Sequence, residues 1–144
     1  MALQYAGEIP RNDPEIVKLA VQKNIHALKY AGEIPSNDPE VVKPVVERFG
    51  TMLQYAGDRL KNDPEVVKLA FQRDKDVLKY AGRDAVISIV RENGYHLRHA
   101  SDAHKRDPYI VLEAIRQNEE VKSFPGIMDH FENCLLYTSD AADE

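Results

Sequence analysis

Tryptophan is absent from the 144-residue chain, and cysteine occurs once, at Cys134. A single thiol cannot close an internal disulfide, which excludes a disulfide-framed secreted scaffold. No apolar run approaches the roughly 18 residues that a bilayer-spanning helix needs, so no membrane partner is expected. The opening MALQYAGEIP lacks the basic-then-apolar order of a secretory leader. With no address signal, the cytoplasm is the default location. Charge of one sign is also scarce: 19 Lys and Arg are scattered among 24 Asp and Glu, for a formal net charge of -5. Nucleic acid calls for a concentrated basic surface, so it is not expected as a partner. Glycine-rich phosphate loops, nucleophile elbows and Cys/His zinc spacings are missing as well. The sequence therefore names no cofactor and no catalytic residue.

What is present is repetition. LQYAGEIPRNDPEIVK at Leu3 returns as LKYAGEIPSNDPEVVK at Leu28 and LQYAGDRLKNDPEVVK at Leu53. Leu3, Leu28, Leu53 and Leu78 follow one another at intervals of 25 residues, and Tyr5, Tyr30, Tyr55 and Tyr80 keep step. The fourth unit lacks six residues, so the fifth begins at Leu97, with His99 in the tyrosine column and Ser101 in the glycine column. Self-similarity at such a period marks a repeat architecture.

Each unit carries a readable helix start. Asp13, Asp38, Asp63 and Asp107 each precede a proline. An aspartate there accepts the orphan N–H groups of the first turn, and proline fits the first helical position, where no N–H is required. Val17, Ala20 and Val21 then form one apolar face of a helix running to about Asn24. A second, shorter helix is predicted over residues 25–31, with Ala27, Leu28 and Ala31 as its stripe. Gly7, Gly32, Gly57 and Gly82 are assigned as left-handed residues closing that helix. The Asn-Asp stretch before the next helix reads as a polar turn.

One such hairpin cannot stand alone. Ordering its residues costs on the order of 1.5 kcal/mol each, against about 1.5–3 kcal/mol for each buried Val or Leu. Stacked copies convert two exposed faces into one core. The fold class expected is therefore all-α, with tandem helix-turn-helix repeats of 25 residues stacked as a short α-solenoid. Residues 1–121 hold about five repeats, starting near 3, 28, 53, 78 and 97, and residues 122–133 form a degenerate end.

The column LKYAGEIPSNDPEVVKPVV resembles the repeats catalogued as domain of unknown function 4116. Those share a short Leu-x-Tyr-Ala-Ser/Gly helix, a polar turn ending in Asn-Asp, and an Asp-x-Glu-Val-Val helix. The resemblance covers about Leu3 to Val121. It implies an all-helical array and brings no activity or binding residues with it.

Several departures stand out. Pro44 replaces the leucine found at Leu19 and Leu69, inside a helix, which predicts a kink or loosening. The chain enters on a short helix at Leu3 with no long helix before it, which leaves that short helix's apolar face without an upstream partner, so a fragment of a longer array is expected. The tail from Cys134 to Glu144, CLLYTSDAADE, resembles a translated sequencing adaptor and is expected to be non-native.

Three histidines, His96, His99 and His104, lie close in sequence and are the only metal candidates worth testing. Their columns favour packing, so no metal is assigned. The aligned tyrosines read as packing between units more readily than as a stacking platform. The recurring Asp-Pro-Glu carboxylates read as caps, because a catalytic pair is needed once and a cap is needed in every helix. The function expected is a non-catalytic scaffold or interaction module for a protein or peptide of unknown identity. Lys18, Gln22, Lys43, Glu47, Lys68 and Gln72 would form the outward surface. The alternative is an accessory repeat region of a larger enzyme whose catalytic domain is not in this chain.

Overall fold

The computed structural model describes residues 7–127. Among them every regular element is helical, and the fold is all-α. The adaptor-like residues 134–144, residues 128–133 of the degenerate end, and the first repeat's Leu3 and Tyr5 lie outside the described residues.

Long α-helices of ten residues begin at each Asp-Pro step: α2 (Pro14–Lys23), α4 (Pro39–Arg48), α6 (Pro64–Arg73) and α9 (Pro108–Gln117). The aspartates cap them. Asp13, Asp38 and Asp63 accept from the N–H of Glu15, Glu40 and Glu65 at 3.0, 2.9 and 2.9 Å, and Asp107 accepts from Tyr109 at 3.0 Å. Another ten-residue helix, α7 (Arg83–Glu92), starts directly after Gly82, where the deletion has removed the turn. Pro44 does not interrupt α4, which keeps the length of its neighbours.

The second helix of each unit is a 3₁₀ helix: Ile25–Tyr30, Gly50–Tyr55, Lys75–Tyr80, Gly94–His99 and Glu119–Ser123. One residue serves both elements. Asn24 ends α2 by donating its N–H to the Ala20 carbonyl at 2.9 Å, and its side chain accepts from His26 N–H at 3.0 Å. Asp74, Asn93 and Asn118 do the same. Phe49 holds that position after α4 and has no side chain that can cap.

Where the sequence reads as a polar turn, the structure has a third helix of four residues. These are α1 (Glu8–Arg11), α3 (Glu33–Ser36), α5 (Asp58–Lys61) and α8 (Asp102–Lys105). The assignment of Gly7, Gly32, Gly57 and Gly82 as left-handed caps is corrected by the same geometry. Gly32, Gly57 and Gly82 have φ of -72°, -70° and -76°, and Gly126 is the only described glycine with positive φ. The 3₁₀ helices before these glycines already end in an extended alanine, Ala31, Ala56 or Ala81, so no chain reversal is needed there. The glycine instead opens the next α-helix.

Long helices pack in succession, α2 on α4, α4 on α6, α6 on α7 and α7 on α9, and the 3₁₀ helices form a second row against them. The leucine column lies at the seam: Leu28, Leu53, Leu78 and Leu97 are fully buried, among Val42, Val46, Val67, Val86 and Val111. Burial of each such leucine is worth about 1.5–3 kcal/mol.

Candidate functional site

Much of the polar surface that recurs in sequence is engaged in joining one unit to the next. The asparagine preceding each capping aspartate does not serve its own long helix. Asn12, Asn37 and Asn62 reach forward to accept from the N–H of Ile34, Arg59 and Asp84 at 3.0, 3.1 and 2.8 Å, the start of the following α-helix. Beside each contact, Gly32, Gly57 or Gly82 donates its N–H to the carbonyl of Arg11, Ser36 or Lys61, at 2.7 Å in every case. A Cβ on any of these three glycines would overlap the asparagine amide. Glycine is therefore fixed here by close approach of the neighbouring unit. In the fifth unit the upstream asparagine has been deleted, and Ser101 occupies the glycine column. Its hydroxyl lies 3.4 Å from the His104 N–H and caps α8 from within.

A second set of junctions is ionic. Lys18 pairs with Glu40 at 3.8 Å, Lys43 with Glu65 at 3.1 Å, and Lys68 with Glu92. Arg91 pairs with Glu113 at 3.0 Å and Arg83 with Asp107 at 2.7 Å. The three lysines expected on a free outward surface are thus half-buried and paired across a junction. Gln22, Glu47 and Gln72, at one register of successive long helices, are exposed. The Arg83 guanidinium, by its hydrogen bond, holds the Asp107 carboxyl below its ordinary range, with further help from the backbone N–H groups of Ile110 and Tyr109.

The three histidines are not brought together. The His96 and His99 rings are 6.4 Å apart between centroids, and both stand edge-on to Phe71, at 4.8 and 6.1 Å. His99 Nδ1 lies 3.8 Å from Asp76, whereas His104 Nδ1 is 3.1 Å from the Ser101 hydroxyl. Burial pushes all three below the ordinary imidazole value. Among the described residues, no group of three or more His, Cys, Asp or Glu side chains is placed to hold a metal ion. The tyrosines of the repeat are partly exposed at Tyr30, Tyr55 and Tyr80, with Lys29 and Lys79 over the rings of Tyr30 and Tyr80.

Sequence reasoning did not find the cleft between α2 and α4. Its volume is about 320 Å³, with Val21, Ile25, Val45, Pro44 and Phe49 forming its apolar wall. Phe49 is 48% exposed. The signal was visible as two anomalies in one unit, the helix-interior proline and the phenylalanine in a column of Asn and Asp. Only the fold shows that both face one cleft.

A family model described as Domain of unknown function (DUF4116) matches residues 1–34 and 38–84, more than half of the chain. No match was found among the curated proteins or among the solved structures. The chain belongs to the matched family.

Proposed function

We propose that this member of the DUF4116 family is a non-catalytic helical-repeat scaffold that binds a protein or peptide partner along the exposed side of its long helices. The observation that carries this reading is the division of labour among side chains. Residues that recur in column, namely the Asn–Gly contacts, the lysine–glutamate pairs and the leucine seam, are engaged at junctions. Gln22, Glu47 and Gln72, which take no part in these junctions through their side chains, are left exposed at one register. Such a surface gains affinity from several modest contacts spread along its length.

The test is comparative capture from source cells. The tagged chain should retain a reproducible set of proteins that a Glu47→Arg/Gln72→Arg variant of unchanged circular dichroism loses. Identical sets for the two, or no retained protein, would contradict the scaffold reading. The full open reading frame separates this reading from the accessory-region alternative, since a catalytic domain in frame would favour the latter.

A further inference from the structure

Two departures from the repeating pattern meet in the cleft between α2 and α4. Pro44 stands at the register where α2 and α6 carry Leu19 and Leu69, and it has no N–H to give to the Glu40 carbonyl within α4. Phe49 stands where the other long helices end in Asn or Asp, and it forgoes the side-chain cap that those residues supply to the next helix. Both changes work against local stability, and both line the same cleft. Local rules are broken in this way chiefly where a chain serves something other than its own folding.

The cleft has a defined character. Its wall is apolar, and Phe49 leaves nearly half of its surface open to solvent. Its rim carries Lys18, Lys23 and Arg48 against one carboxylate, Glu40, which Lys18 already pairs. Lys23 and Arg48 are exposed, and the Arg48 guanidinium lies over the Phe49 ring, 5.8 Å from its centroid. An apolar seat and two cations therefore stand side by side.

We propose that this cleft binds a peptide segment of a partner protein in which a bulky apolar side chain is flanked by Asp or Glu. The apolar side chain seats against Pro44, Val45 and Phe49, and the flanking carboxylates meet Lys23 and Arg48. Charge complementarity selects an acidic segment, and the apolar wall selects a peptide over nucleic acid, whose phosphates would use the rim and leave the wall empty. The inference rests on the scaffold reading and assigns that scaffold a particular contact point.

A random-peptide display library selected on the full chain, followed by fluorescence anisotropy on the recovered peptides, tests it. Recovered peptides should carry an aromatic or large aliphatic residue beside acidic ones, and their binding should weaken with added salt. Phe49→Asn restores the cap found in the other units, so that variant keeps its fold and should still lose about tenfold or more in affinity. Arg48→Glu should lose binding as well, whereas Arg106→Glu, the same charge reversal at an exposed arginine away from the cleft, should not. The proposal is overturned if no peptide is enriched, if enriched peptides lack acidic residues, or if Phe49→Asn binds them undiminished. It is equally overturned if a single-stranded oligonucleotide binds in a way that Arg48→Glu abolishes and Phe49→Asn leaves intact. If the Glu47→Arg/Gln72→Arg variant loses its partners while peptide selection on the cleft fails, the scaffold reading stands and this inference falls.

Discussion

The side-chain amide of Asn37 occupies the space in which Gly57 would carry a Cβ. From there its oxygen accepts from Arg59 N–H at 3.1 Å, its nitrogen donates to the Glu33 carbonyl at 3.0 Å, and the Gly57 N–H reaches the Ser36 carbonyl at 2.7 Å. Two units are joined at one point by two small polar groups and a missing methyl. Replacing Asn37 with Ala removes the cap of α5 and should cost about 1 kcal/mol. Gly57→Ala should cost more, because the new methyl displaces the amide as well. In the double variant the methyl fits the vacated space, so urea unfolding should show a combined cost below the sum of the two. Additive costs would mean that the residues are not coupled.

Ser101 supplies from its own side chain the cap that the deleted asparagine no longer gives to the fifth unit. Ser101→Ala should therefore destabilise by about 1 kcal/mol in urea unfolding. Gly82→Ser, by contrast, introduces a Cβ against the Asn62 amide and should destabilise although the residue type is the same. Equal tolerance of serine at the two sites would count against this account of the glycine column.

Those capping aspartates were legible in sequence because the groups they satisfy lie two residues away in the same helix. The asparagine contacts were not, since each acceptor and its donor are 22 residues apart and belong to different units. A signal existed all the same: Asn12, Asn37 and Asn62 recur immediately before Asp13, Asp38 and Asp63, and the glycine gives way to Ser101 once the upstream asparagine is gone. The glycines were misread because a glycine after a helix usually marks a left-handed stop. Here an extended alanine has already ended the 3₁₀ helix, and the glycine is required by its neighbour's side chain instead. Lys18, Lys43 and Lys68 looked outward by helical period, but their glutamate partners sit on the next long helix, which no single helical pattern reveals.

Pro44 lies in the interior of α4 without breaking it. Pro44→Leu restores a backbone N–H and should stabilise the chain by about 3 kcal/mol, the usual cost of a helix-interior proline. An unchanged urea midpoint would contradict it.

The histidines give stability a pH dependence of definite sign. Burial, the largest cause for each, holds His96, His99 and His104 below the ordinary value of 6.5; Lys75 and Arg98 add to this, while Glu92, Asp76 and Asp107 oppose it. The unfolded chain thus takes up protons near pH 6.5 while the folded chain still resists them. Their contribution is fully present above about pH 6.5 and is lost as the pH falls through the lower folded values. The urea midpoint should therefore decline on acidification from neutrality, and a variant with all three histidines changed to Gln should decline less over that window. A steeper decline in the variant would reverse the sign.

The central claim is that each unit holds its shape only against a neighbour. Circular dichroism of the isolated peptide spanning residues 28–52, set beside the whole chain, tests it most directly. The whole chain should be helical and unfold cooperatively in urea, and the single unit should be largely unstructured at the same temperature. A lone peptide as helical per residue as the chain, with its own cooperative unfolding, would contradict the account.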